Sequence, residues 1–143
     1  MREYLFRGKR VDSGEWVYGY LSKHRNVFNR VYTKITPYDP IEGDAYVEDG
    51  AAVIPETVGQ FTGIIDKNGN KIFEGDIIKF VRAAVVKWHS FVGGFVLYES
   101  ARRGLKWRLL WGRWRLIGEW TGFTDYEVIG NEHDNPELLE DKQ

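Results

Sequence analysis

Cysteine is absent from the 143-residue chain, which excludes disulfides, thiol nucleophiles and Cys-ligated zinc. Proline is sparse, with 4 residues, and methionine occurs once. Alanine, the best helix former, is found only 6 times, which points away from a helical bundle. No stretch approaches the ~18 apolar residues of a membrane-spanning helix. Met1-Arg2-Glu3-Tyr4 lacks the apolar run of a secretory signal, so the expected compartment is the cytoplasm, without a membrane partner. An excess of one charge is missing too: 20 Lys and Arg stand against 21 Asp and Glu. What is abundant is β-forming. Val, Ile, Thr and the aromatics together supply 51 residues, and there are 16 glycines. That mixture predicts short strands joined by tight turns.

The near-zero net charge hides blocks of one sign. Residues 1–34 balance at +5, while residues 35–60 carry six acids and no base. Residues 81–115 balance at +7 and residues 116–143 at -7. Two arrangements account for such blocks. Opposite blocks neutralise one another within the fold or across a subunit boundary, or a basic block steers a polyanion.

Strand patterns recur along the chain. Trp16, Tyr18 and Tyr20 alternate with Val17, Gly19 and Leu21, the period of a β-strand. A second strand fits Val31 to Ile35 and is stopped by Pro37. Residues 37–50 are acidic and turn-rich, and form a loop or subdomain joint. Asn68-Gly69 fits a two-residue type I′ turn, in which both central residues need φ > 0; this would set Ile65 opposite Ile72. A longer loop over Lys67–Asn70 would shift that register. Strands follow at Ile77–Val81, Ala84–Trp88, Phe95–Tyr98 and Tyr126–Ile129. Asn135-Pro136-Glu137 then reads as a cap followed by proline at the start of a short helix. Gly59–Asp66 and Gly118–Asp125 share four of eight residues, a similarity compatible with matching turns or with chance.

Few residues suggest catalysis. Asp66, Asn68 and Asn70 begin with calcium-loop spacing, but Lys71 stands at the required glycine and Ile77 at the bidentate glutamate. Asp66 is instead expected to accept backbone hydrogen bonds in a turn. His24, His89 and His133 show no ligand spacing, and Glu132-His133-Asp134 lacks a paired nucleophile. No phosphate loop, dinucleotide fingerprint or nucleophile elbow is present. The expectation is no cofactor, no metal and no catalytic residue. An enzyme would have to assemble its site from separated carboxylates such as Glu74, Asp76 and Asp125.

The most distinctive stretch runs from Arg102 to Arg115, with six basic residues, no acid and three tryptophans. A helix from Ser100 through Trp111 is conceivable, but Gly104 and Gly112 weaken it. A hairpin turning at Gly112-Arg113 explains more, because Trp107, Leu109, Trp111, Trp114 and Leu116 then share one face and Arg108 and Arg115 the other. The tryptophans are then core, or the stretch is an interaction surface made by Arg102, Arg103, Lys106, Trp107, Arg108, Trp111, Arg113, Trp114 and Arg115. Such a surface suits a protein interface, a membrane interface or a nucleic acid, with bases on indoles and phosphates on arginines.

The segments "REYLFRGKR", "GEWVYGYL", "VIPETVGQFTGIIDKNGNKIFEGDII", "VVKW" and "YEVIGNEHDNPELL" resemble the YopX family of bacteriophage and prophage proteins. The resemblance implies a mainly β fold with barrel-like subdomains and carries no catalytic residue. Together with the residue patterns, the expectation is two small barrel-like subdomains of short antiparallel strands with a short C-terminal helix, divided as 1–57 and 58–143. Residues 101–120 depart most from the family pattern. The expected function is a non-catalytic, self-associating binding or assembly protein in the host cytoplasm. The alternatives are a nucleic-acid-binding accessory protein that uses residues 102–115, and a small-molecule enzyme with a carboxylate site.

Overall fold

A computed structural model describes residues 3–37, 50–79, 83–91, 93–99, 106–109 and 125–140. The fold is mainly β, with two antiparallel sheets and, among the described residues, only two short 3-10 turns. The chain divides into two compact units, Met1–Phe61 and Thr62–Gln143.

In the first unit, β1 (Phe6–Lys9), β2 (Trp16–Arg25), β3 (Val31–Pro37), β4 (Ala51–Ala52) and the start of β5 (Gly59–Ile65) form a sheet in the order β4-β3-β2-β1-β5. Register sets Gly8 opposite Val17, Leu21 opposite Ile35, and Lys23 opposite Thr33. Because side chains alternate between faces, Val17, Leu21, Thr33 and Ile35 fall on one side, where Ile35 and Thr33 are buried with Val53. Packing there is close. A Cβ on Gly8 would meet Val53 Cβ at 3.1 Å and Ile35 Cδ1 at 3.2 Å. At Gly19 a Cβ would fall 1.8 Å from the Thr36 carbonyl oxygen, so only glycine lets β2 approach β3 at that point. The segment after β4 bonds to both β3 and the end of β1: Val53 N–H donates to Thr33 O (3.0 Å), and Ile54 N–H to Lys9 O (2.8 Å).

The second unit pairs β6 (Lys71–Phe73) with the end of β5 and builds a five-stranded sheet from β7 (Asp76–Lys79), β8 (Ala83–His89), β9 (Gly94–Glu99), β10 (Lys106–Leu109) and β11 (Glu127–Asn131) in the order β10-β9-β8-β7-β11. Register aligns Ile78 with Ala84 and Val128, and Val86 with Leu97. These side chains share one face and form the core with Ile64, Ile72 and Phe95. A bulge between Val128 and Gly130 bends β11. Asn135 and Leu138 then fold back over Gly130, where a Cβ would lie 2.6 Å from Asn135 Oδ1 and 2.9 Å from Leu138 Cδ1.

Several local expectations are corrected. The two-residue type I′ turn does not form. Gly69 is left-handed at φ 87°, but Asn68 is not among the residues with positive φ. The loop is longer: Asp66 N–H donates to Asn70 O (2.8 Å) and Gly69 N–H to Asp66 O (3.1 Å), the hairpin form with glycine in the left-handed position. The cause is Asp66, whose carboxylate draws in the N–H groups of both Asn68 and Asn70. The register moves with it, so Ile64 rather than Ile65 joins Ile72 in the core. The short C-terminal helix is a single 3-10 turn, Pro136–Leu139. Proline opens it as expected, but the Asn135 side chain makes no cap bond. It accepts the Asn131 N–H instead, at 3.3 Å. Neither sheet is a closed barrel among the described residues. The hairpin turn at Gly112-Arg113, most of the acidic loop at 37–50 and all of the repeat's second copy except Asp125 lie outside the described residues.

Gly69 supports a direct test. Nothing lies within 4 Å of a Cβ built there, so substitution strains the backbone alone. Gly69→Val is expected to destabilise the protein by about 1–3 kcal/mol and Gly69→Asn by much less, since asparagine tolerates the left-handed region. Urea denaturation measures both.

Candidate functional site

The carboxylates are where catalysis would have to start, and Asp66, Glu74 and Asp76 each accept a backbone N–H. Asp66 is fully buried. Its Oδ1 accepts the N–H groups of Asn68 (2.9 Å) and Asn70 (2.8 Å). Its Oδ2 accepts the Val128 N–H (3.0 Å) and the Asn70 side-chain amide (3.1 Å). Beside it, Lys67 N–H donates to Tyr126 O (2.9 Å), and Lys67 Nζ pairs with Glu127 at 2.9 Å. Burial pushes the Asp66 pKa up, but the donors from Val128, Asn70 and Asn68 outweigh it and hold the carboxyl below its ordinary range. A carboxylate saturated in this way is a structural acceptor that ties the 66–70 turn to β11.

Glu74 and Asp76 also serve as backbone acceptors. Buried Asp76 accepts the Phe73 N–H (2.8 Å), and Glu74 Oε2 accepts the Trp88 N–H (2.9 Å). Asp125 is exposed. Lys87 Nζ pairs with Glu132, whose carboxylate lies 3.8 Å from His133 Nε2. Among the described residues, no group of three or more His, Cys, Asp or Glu is placed to hold a metal ion.

Of the Arg102–Arg115 stretch, Lys106–Leu109 is strand β10. It pairs antiparallel with β9, with Trp107 opposite Tyr98 and Arg108 opposite Leu97. Arg102, Arg103, Trp111, Arg113, Trp114 and Arg115 lie outside the described residues.

The first sheet presents a surface that the sequence pattern marked only as a strand. Its second face carries Trp16, Tyr18 and Tyr20 from β2 and Tyr32 and Lys34 from β3. Arg7 on β1 is opposite Tyr18, and Lys9 is opposite Trp16. The Arg7 guanidinium stands 4.8 Å from the Trp16 ring centroid and Lys9 Nζ 5.5 Å from it, both within cation–π range. Lys34 Nζ lies 5.7 Å from the Tyr32 ring, and His24 stacks on the same ring at 5.5 Å. Arg7 is buried, whereas Tyr18 and Tyr20 are 46% and 43% exposed. The period-2 run of aromatics was the available signal. What it lacked was the strand order that sets lysines and an arginine from β1 and β3 beside those rings.

A family model described as YopX protein matches residues 5–140. No curated protein matches the sequence. Among solved structures, the chain is similar to protein EF1440 from Enterococcus faecalis, at 25% identity and a TM-score of 0.41, with 98% of this chain and 100% of that chain covered.

The Asp66 network sets a stability test. Asp66→Ala leaves three backbone N–H groups without their acceptor and is expected to cost about 3 kcal/mol or more. The folded pKa is depressed, so the carboxylate's contribution is fully present above the unfolded value of about 3.9. It is lost as pH falls through the lower folded value. Denaturation midpoints from pH 7 down to pH 2 are expected to show this loss in the wild type and to lack that component in Asp66→Asn.

Proposed function

The chain belongs to the YopX family, and on that premise we propose that it is a non-catalytic, homo-oligomeric binding or assembly protein of a bacteriophage or prophage, working in the host cytoplasm. One observation carries this reading. The carboxylates of Asp66, Glu74 and Asp76 accept backbone N–H groups, while large apolar side chains stand out at hairpin tips. Val27 and Phe28 at the β2–β3 turn are 93% and 80% exposed, and Phe91 after β8 is 95% exposed. The β2–β3 tip is built rather than loose. The Asn26 side chain accepts the N–H groups of Phe28 and Arg30, each at 3.0 Å, and Arg25 donates to Asn29 at 2.6 Å. Exposed aromatics on ordered turns suit docking, and the alternating charge blocks offer complementary rims to a second copy.

Barrel-like closure of the subdomains belongs to the same proposal. In the first unit its support is the antiparallel bridge between Arg10 and Val53. The nucleic-acid reading of residues 102–115 rests on their composition. The carboxylate-enzyme reading is the least favoured, given how Asp76 and Glu74 are used.

Light scattering at micromolar concentration in physiological salt tests self-association. The expected mass is a multiple of 16.7 kDa, and Phe28→Ser combined with Phe91→Ser is expected to reduce it. A wild-type mass of 16.7 kDa would contradict the proposal. Dissociation in high salt would assign the contact to rim charges, and persistence to an apolar interface.

A further inference from the structure

We propose that the distal end of the β2–β3 hairpin is an arm for duplex DNA, with Lys23, Arg25 and Arg30 on phosphates and Phe28 wedged against a base step. This goes beyond self-association, for which exposed Phe91 remains, and does not depend on it.

The sheet stops short of the arm. Among the described residues, β1 pairs with β2 only from Trp16 to Gly19, and β4 with β3 only at Lys34 and Ile35. Past Thr33, whose carbonyl takes the Val53 N–H, the two strands continue as a ribbon through the pairs His24–Tyr32 and Arg25–Val31. Every residue from Lys23 to Val31 is exposed. A two-stranded ribbon is marginal by itself, yet this one ends in an ordered turn. Asn26 N–H donates to Arg30 O and Asn29 N–H to Asn26 O, while Asn26 Oδ1 accepts the Phe28 and Arg30 N–H groups. The 66–70 turn is built by the same bonds around Asp66, with Gly69 in the left-handed place that Asn29 takes here. That turn carries Lys67 and Asn68 where this one carries Val27 and Phe28. The backbone therefore has no need of apolar residues at the apex, and their 93% and 80% exposure points to something outside the arm.

Charge and shape select the partner. Residues 23–31 hold three Lys and Arg and no acid. Arg25 is oriented by the neutral Asn29 side chain at 2.6 Å, and no carboxylate among the described residues pairs with any of the three. The acids of residues 37–50 follow Pro37, which lies at the other end of the β2–β3 ladder, roughly 20 Å from Val31. Lys23 and Arg25 share one face and are set roughly 7 Å apart along the strand. Cations stepped back along a ribbon in this way follow the phosphates that line a groove, whereas a lipid headgroup layer meets a protein at one level. A two-stranded ribbon fits a DNA groove, and an apolar side chain at its tip can open a base step from the minor groove and bend the duplex. The shallow minor groove of double-stranded RNA gives the wedge no comparable slot.

Fluorescence anisotropy and end-to-end energy transfer on a doubly labelled DNA duplex at about 100 mM salt test this. Wild-type protein at micromolar concentration is expected to bind and to raise the transfer by bending the DNA, and to bind double-stranded RNA more weakly. Lys23→Ala with Arg30→Ala should flatten the slope of log affinity against log salt by about 1.8, two phosphates at about 0.9 each. Phe28→Ser should keep that slope and lose the change in transfer, whereas Phe28→Leu should keep both. Circular dichroism melting checks that each variant is folded. No binding at tens of micromolar wild-type protein overturns the proposal, as does a salt slope that ignores Lys23 and Arg30 or a bend that survives Phe28→Ser. Binding to anionic phospholipid vesicles that is lost in Phe28→Ser, with DNA left unbound, overturns it in favour of a membrane surface. A fall in light-scattering mass in Phe28→Ser alone, again with DNA left unbound by the wild type, overturns it in favour of contact between copies.

Discussion

A buried carboxylate must be surrounded by donors, and that requirement at Asp66 organises the second unit. A bare charge taken out of water costs several kcal/mol. The chain meets this cost with N–H groups from two places far apart in sequence, the 66–70 turn and Val128. The consequences spread outward. The turn widens, Gly69 becomes left-handed, Ile64 rather than Ile65 enters the core, and β11 is fixed at its first residues beside β7. Lys67 and Glu127 close the joint at the surface. The same saturation that makes Asp66 a good anchor removes it as an acid or base.

The first unit follows a different constraint, the strict alternation of a paired strand. Ile35 and Thr33 are buried on one side of β3, and Tyr32 and Lys34 project from the other. Glycine makes this possible at two crowded points: Gly8 under Val53, and Gly19 against the Thr36 carbonyl. With the interior given to small and β-branched residues, the aromatics of β2 are left on the outer face. Tyr18 and Tyr20 stand 46% and 43% exposed there.

Much of the fold was legible in the sequence because period-2 patterns and Gly-containing turns are local signals. Trp16–Leu21, Val31–Ile35, Ala84–Trp88 and Phe95–Tyr98 all lie within strands, and the acceptor role of Asp66 follows from its position before Asn68-Gly69. What was not legible depended on distant partners. The hairpin register turned on an aspartate whose third backbone donor is 62 residues away, at Val128. The C-terminal helix shrank to one 3-10 turn because Asn135 folds back on Asn131 and Gly130. The cationic surroundings of Trp16 and Tyr32 depend on strand order, which no single strand's pattern contains. The Arg102–Arg115 stretch drew attention by composition, whereas the aromatic face of β2 reads in sequence as an ordinary strand.

The Asp66 carboxylate joins the 66–70 turn to β11, and the rest of the second unit depends on that joint. Backbone amide hydrogen exchange in the wild type and in Asp66→Asn tests it most directly. The predicted result is a shared loss of protection at Asn68, Asn70 and Val128 in the variant, with the amides of β2 and β3 unchanged. Unchanged protection at Asn70 and Val128 would contradict it.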